Sequence, residues 1–221
     1  IEDIEEKCRK NLFAKYWMGL NKYKPLNIQK ISSEIITSKT RILNKQLIES
    51  SITLLQNYND LLPLKRLDTL NIASISIGED GTEFHNMLTN YAPVTTFHIS
   101  ENASKKEQAE LLNKLTKYNL VVVGLHKSNK SAWESYKIAK NIDIFLQAVA
   151  RESKIIVSIF ANPYSINSFL FVDNFDSFLL GYQNSKLAQS LTAQAIFGGI
   201  PFAGKLPVST RHFKISEGIN T

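Results

Sequence analysis

The amino-acid sequence predicts an α/β fold, a three-layer αβα sandwich on a mainly parallel sheet of about five or six strands. Three observations carry that expectation. The runs Leu120 to Val123 and Ile155 to Phe160 are almost continuously apolar, the pattern of strands covered on both faces. Strand-type runs alternate with stretches of helical spacing long enough to cross back over a sheet. The 221 residues are 43% hydrophobic and 21% charged, near the globular average, and no apolar run reaches the roughly 18 residues of a membrane-spanning helix.

The elements follow in order. Ile4, Cys8, Leu12 and Tyr16 recur every fourth residue, with Phe13 and Trp17 widening the same face, so the chain starts as an amphipathic helix that Gly19 stops. Asn21 to Lys39 contains Pro25 and has no sustained period, which suits a linker. A helix over Arg41 to Glu49 leads into a strand at Ser51 to Leu55, and Asn57 to Asp60 makes a turn. Leu70 to Ile77 and Val94 to Ile99 read as strands on either side of a helix over Thr82 to Asn90. Ser104 with Glu107 three residues later is a capping box, and Leu112 and Leu115 continue the helix it opens. Beyond the Leu120 strand come a helix over Asn141 to Glu152, the Ile155 strand, the turn Asn162-Pro163-Tyr164, the run Phe175 to Leu180, and a helix over Ser185 to Phe197.

Charge and motifs exclude several function classes. The net charge of +6 comes from lysines scattered among acids, without a basic block, so no nucleic-acid partner is expected. Ser76-Ile77-Gly78-Glu79-Asp80-Gly81 has too few glycines for a dinucleotide cradle, and its acids would repel a pyrophosphate. The sequence contains no Walker-type element, no His-Glu-x-x-His and no Gly-x-Ser-x-Gly. Cofactors and metals are therefore not expected. The lone Cys8, on the apolar side of its helix, is expected to pack as a small hydrophobe. His85, His98, His126 and His212 are far apart in sequence, which leaves only a cluster made by folding. In an open α/β sheet a site is sought at the carboxyl ends of the strands. That rule singles out His126, Asn162 and Tyr164 as candidate ligand-binding residues, and Glu134 beside Trp133 as a candidate acid.

Four segments in order carry a more specific resemblance. They are Arg9-Lys10-Asn11-Leu12-Phe13-Ala14-Lys15-Tyr16-Trp17-Met18-Gly19-Leu20, then Ser51 to Asn57 with Leu62-Pro63-Leu64, then Asn162-Pro163-Tyr164, then Phe197-Gly198-Gly199-Ile200-Pro201-Phe202-Ala203-Gly204-Lys205-Leu206-Pro207-Val208-Ser209. Together they resemble family 3 glycoside hydrolases, from the end of the catalytic (β/α)8 barrel through the sandwich that follows. The resemblance implies that residues 1–39 are the last barrel helix and an interdomain linker, 40–210 the sandwich, and 211–221 an exit linker.

Members of that family cleave β-linked sugars with retention, using a barrel aspartate as nucleophile. That aspartate lies outside this chain. In the β-glucosidase branch the acid/base is a glutamate on the sandwich, in an acidic loop ending in Asp-Arg after the strand matching Leu120 to Val123. Here the loop runs Lys127 to Tyr136, contains Glu134, and lacks the Asp-Arg pair. It resembles instead the β-N-acetylglucosaminidase branch, whose acid/base is an Asp-His pair on a barrel loop. The resemblance thus implies a non-catalytic supporting domain whose partners are its own barrel and a glucosaminide or glucoside substrate from the cell wall. Glu134 as acid/base and a glycan-binding module are the alternatives. A bacterial, extracytoplasmic protein with its export signal outside this chain is expected, and some relatives continue into a further C-terminal domain.

Overall fold

The computed structural model describes residues 2–128 and 136–221. It divides into two compact units, Ile1–Leu43 and Asn44–Thr221.

In the first unit the helix α1 spans Glu2–Trp17. Glu2, Asp3 and Glu5 in its first turn and Lys15 in its last complement the helix dipole, and Lys7–Asp3 and Lys10–Glu6 pair at 2.7 Å one turn apart. Gly19 ends it at φ 76°, a left-handed conformation that glycine adopts without penalty. A short helix α2, Ile31–Ile35, lies in the segment expected as a linker. No residue of α1 is buried. Cys8, expected to pack inside, is exposed, because the apolar stripe that carries it has nothing in its own unit to pack against.

The second unit takes over within helix α3, Ser38–Ser51. Its strands are β1 Thr53–Asn57, β2 Ile72–Gly78, β3 Val94–Ile99, β4 Leu120–His126, β5 Lys154–Phe160 and β6 Ser177–Leu180. Its remaining helices are α4 Thr82–Thr89, α5 Lys105–Leu115, α6 Lys140–Glu152 and α7 Lys186–Ile196. The sheet order is β1-β6-β5-β4-β2-β3, parallel throughout except for β1 against β6. Helices α4, α5 and α6 make the crossovers. Between β5 and β6 the connection is instead two 3₁₀ turns, Pro163–Ser168 and Val172–Asn174, where the sequence offers Pro163 and no helical period.

Side-chain alternation sorts the core into two faces. Ala73, Ile75, Val121, Val123, Ile155 and Val157 point toward α5 and α6, meeting Leu111, Leu115, Ile142, Phe145 and Val149. Ile72, Leu120, Val122, Ile156 and Leu179 point the other way, toward Phe84 and Leu88 of α4 and Ala188, Leu191 and Ile196 of α7. The fully buried helix-facing residues of β4 and β5 are the two-sided strands that the sequence predicts. The predicted capping box is also in place, with Glu107 N donating to Ser104 Oγ at 3.3 Å and Ser104 N to Glu107 Oε2 at 2.7 Å.

Residues 202–219 pack back against the sandwich. Phe202 and Leu206 are buried, Gly204 N donates to Ile52 O, and Leu206 N to Glu217 O. Ile219 then bridges Leu54 of β1 in antiparallel fashion. Residues 211–221, expected as an exit linker, thus meet the β1 edge at one point, the Leu54–Ile219 bridge.

Candidate functional site: the strand-end crevice

The strand order reverses between β2 and β4, whose following helices α4 and α6 lie on opposite faces. That switch point opens the crevice in which α/β sheets hold ligands, beyond the carboxyl ends of the strands. Gly78 ends β2 there at φ 93°, and a Cβ on it would come within 2.5 Å of His126 O. The tight turn lets Glu79 N donate to His126 O at 3.0 Å.

His126 closes β4 and is 3% exposed. Its ring stacks on Phe160 (4.7 Å between centroids, 7° between planes) and meets the edge of Phe84 at 6.1 Å. Asn184 Nδ2 donates to Glu79 Oε2 and Asn184 Oδ1 accepts from Gln189 Nε2, so Oδ1 faces His126 Nδ1, which must donate across their 2.9 Å contact. That leaves Nε2 unprotonated and without a partner, under Gly81 and Gly124; a Cβ on either glycine would approach it to 2.4 Å. Burial holds the imidazole pKa down at about 4, against which the Asn184 bond and the Asp80 carboxylate pull upward. His126 is therefore neutral at pH 7, an interior hydrogen-bonded ring with its tautomer set by Asn184.

The crevice acids are engaged in structure. Glu79 accepts from Ser128 N at 3.0 Å and from Asn184 Nδ2 at 3.2 Å. Glu101, past the end of β3, pairs with Lys127 Nζ at 2.9 and 3.1 Å, and the same ammonium donates to Lys137 O at 2.7 Å. Lys127 thus ties both ends of the β4–α6 loop to each other and to the neighbouring strand end. Lys127→Met should loosen that loop base: hydrogen exchange at the Ile138 amide, which donates to Ser168 Oγ, is expected to speed up severalfold, because charge-assisted bonds each contribute about 1.5–3 kcal/mol. An unchanged exchange rate would show that the loop is held without Lys127.

Three of the four histidines are brought together by folding, which spacing along the chain could not reveal. His85 and His98 line an open pocket of about 400 Å³ with Ser76, Gly78, Asp80 and Thr82, and His126 lies behind its wall. Burial, with a smaller push from His98, lowers the His85 pKa to about 4. Among the described residues no three metal-ligating side chains converge. His212 stands apart, its Nε2 2.8 Å from Phe169 O.

Of the other sequence candidates, Asn162 caps the Pro163–Ser168 turn, its Oδ1 accepting from Tyr164 N at 3.0 Å, and Tyr164 is 42% exposed beside Tyr136. Glu134 lies outside the described residues. Glu79, Glu101, Lys127, Asn184 and Gln189 were not singled out by the sequence. Their signal was only positional, since all but Gln189 sit just beyond predicted strands.

Comparison with known proteins places this geometry. The model of the glycosyl hydrolase family 3 C-terminal domain matches residues 52–214. A β-xylosidase of Formosa agariphila is 26% identical over 244 aligned positions, covering 93% of this chain and 33% of the relative. The chain thus spans about a third of the length of that curated relative. Among solved structures, a family 3 β-N-acetylglucosaminidase from Paenibacillus sp. superposes with a TM-score of 0.63 at 19% identity, over 92% of this chain and 38% of its own. A β-glucosidase from Listeria innocua in complex with isofagomine gives 0.63 at 16% identity, over 88% and 31%. At these identities the structural likeness speaks for the fold.

Proposed function

The chain belongs to the glycosyl hydrolase family 3 C-terminal domain family, and on that premise we propose that it is the non-catalytic sandwich of a retaining β-glycosidase, buttressing a barrel that precedes it in a longer polypeptide. The observation that carries this reading is the state of the crevice. Its described carboxylates are all engaged, Glu101 by Lys127, Glu79 by Ser128 N and Asn184, and Asp80 by Thr82 N, which suits a rigid wall better than an acid or base that must exchange protons. Helix α1 supports it from the other end. Phe13, Tyr16 and Trp17 are 71%, 66% and 81% exposed, and such a stripe is stable in water when it is buried against a larger body.

For the sugar we favour a β-N-acetylglucosaminide of the cell wall, because the Lys127–Tyr136 loop lacks an Asp-Arg pair. The similar proteins act, by their names, on xylosides, N-acetylglucosaminides and glucosides, so the assay must include all three. The second reading, a β-glucosidase-type sandwich that supplies Glu134, rests on the position of that residue in the same loop. The test incubates the 221-residue chain, and separately the complete polypeptide, with aryl β-N-acetylglucosaminide, β-glucoside and β-xyloside. We expect turnover only from the complete polypeptide and undiminished by Glu134→Gln. Loss of that turnover in the Glu134→Gln variant would establish the second reading and remove the first.

A further inference from the structure

The two edges of the sheet differ. On one side β1 shifts register against β6 between Leu54 and Gln56, and Ile219 bridges Leu54 from outside. On the other, β3 pairs with β2 in unbroken register from Val94 to Ile99, and among the described residues no other hydrogen bond reaches it. Alternate residues of such a strand aim their N–H and C=O groups outward. Edges are commonly guarded by a lysine, an inward charge, a proline or a bulge, and Val94-Thr95-Thr96-Phe97-His98-Ile99 has no lysine, acid, proline or bulge. We infer that the β3 edge is a docking surface for the β3 edge of a second copy of this chain, the two joined antiparallel about a two-fold axis into one continuous sheet.

The strand is held in place beforehand. Ile99 is buried in the core under α5, Phe97 meets the Tyr118 ring edge-on at 6.1 Å on that same side, and Val94 packs into the opposite core. Its backbone is thus fixed before a partner arrives, and little conformational entropy remains to be lost on docking. Alternation puts Thr95 on the α5 side with Phe97 and Ile99, and Thr96 and His98 on the α4 side with Val94. Thr95, Thr96 and His98 are exposed.

Three features select a second copy as the occupant. The strand has no lysine, arginine or acid, so two copies bring no like charges opposite each other. A two-fold axis normal to the sheet keeps each face on its own side. Placed at Thr96, it sets Thr96 against Thr96, Thr95 against Phe97 and Val94 against His98, and Thr–Thr and aromatic–β-branched pairs are favourable cross-strand neighbours. The outer edge of each copy is then the interrupted β1, so addition stops at two copies instead of running on as a fibre. A strand pair this short covers less than the roughly 800 Å² per partner of a standard interface, so the dimer is weak, with a Kd on the order of 10–100 μM.

The test is sedimentation velocity of the 221-residue chain and of the complete polypeptide from about 5 to 500 μM, with amide exchange followed at both extremes. Both are expected to pass from monomer to dimer over that range, and the outward β3 amides to exchange severalfold more slowly in the dimer. Thr96→Lys sets two ammonium groups across the axis and is expected to weaken dimerisation at least tenfold, whereas Phe13→Ser, on the exposed stripe of α1, should leave it within about twofold. In a Cys8→Ser background, Thr96→Cys should be trapped as a disulfide-linked dimer on mild oxidation and Tyr58→Cys, beside β1, should not. Amide exchange of the unsubstituted chain reads the edge even if a variant fails to fold. A monomer at every concentration would overturn the inference. So would a dimer that survives Thr96→Lys and is lost in Phe13→Ser, which would assign the association to α1. Outward β3 amides protected equally at all concentrations in the complete polypeptide would show that another part of the same polypeptide covers the edge, and the second copy falls.

Discussion

Gly204→Ala is expected to cost this chain about 3 kcal/mol or more, seen as a large drop in the urea midpoint with little change in slope. A Cβ at Gly204 would lie 2.2 Å from Ser51 O, 2.6 Å from Ile52 O and 2.6 Å from Thr53 Oγ1. Two of the three obstacles are backbone atoms at the junction of α3 and β1. They cannot swing aside as a long side chain would, and Gly204 N already donates to Ile52 O at 3.1 Å. Relief would require moving β1 or the Phe202–Leu206 strap, both packed into the core. An unaltered midpoint would mean that the strap does not bear on β1 as described.

Acidification should weaken the fold through His126. Its folded pKa, about 4, is below the ordinary imidazole value, so between about pH 6.5 and 4 the unfolded chain takes up a proton that the folded chain refuses. Stability attributable to this ring is therefore full above about pH 6.5 and lost progressively as the pH falls toward 4. From pH 7.5 to pH 5 the loss is about 2 kcal/mol. His85, depressed to about 4 as well, acts in the same direction but by less, since it is only partly buried and solvent screens it. The Asp80 carboxylate, lowered chiefly by its bonds to Thr82, acts in the same direction but loses its contribution only as the pH falls through and below the usual carboxylate range, and so adds little between pH 7.5 and 5. The check is chemical unfolding at both pH values of the parent and of His126→Phe, which keeps an aromatic ring against Phe160 but cannot titrate. The variant should lose most of the pH dependence. Equal pH slopes in the two proteins would assign the acid sensitivity elsewhere.

Much of the fold was legible because it depends on local pattern. The apolar runs at Leu120 and Ile155 announce two-sided strands, and Ser104 with Glu107 announces a helix start; these are statements about neighbours one to four residues apart. What local pattern could not supply has the same origin in reverse. Period-four spacing put Cys8 on an apolar face, but burial needs a partner that lies at no fixed offset. Residues 211–221 lack a strong period, yet Ile219 pairs with Leu54 because β1 happens to be the sheet edge.

The candidate site was legible as a place and not as a network. Strand ends in an α/β sheet pointed to His126, Asn162 and Tyr164, and each lies at the rim or just beneath it. That His126 is an interior donor to Asn184, that Glu101 is neutralised by Lys127, and that Tyr164 has Tyr136 beside it are contacts across 58, 26 and 28 positions.

By itself, then, the sequence determined the α/β class, the order of helices and strands, and membership of a glycosidase sandwich family, since these follow from periodicity, caps and short motifs. The tertiary structure alone decided which strands are adjacent, where the switch point opens, which carboxylates are held in pairs, and which aromatic rings face outward together. The physical reason is that alternation along a strand says which face a side chain takes, whereas its neighbours on that face are set by a global packing of two cores. Only that packing brings Gly78, His126 and Asn184 to one end of the sheet.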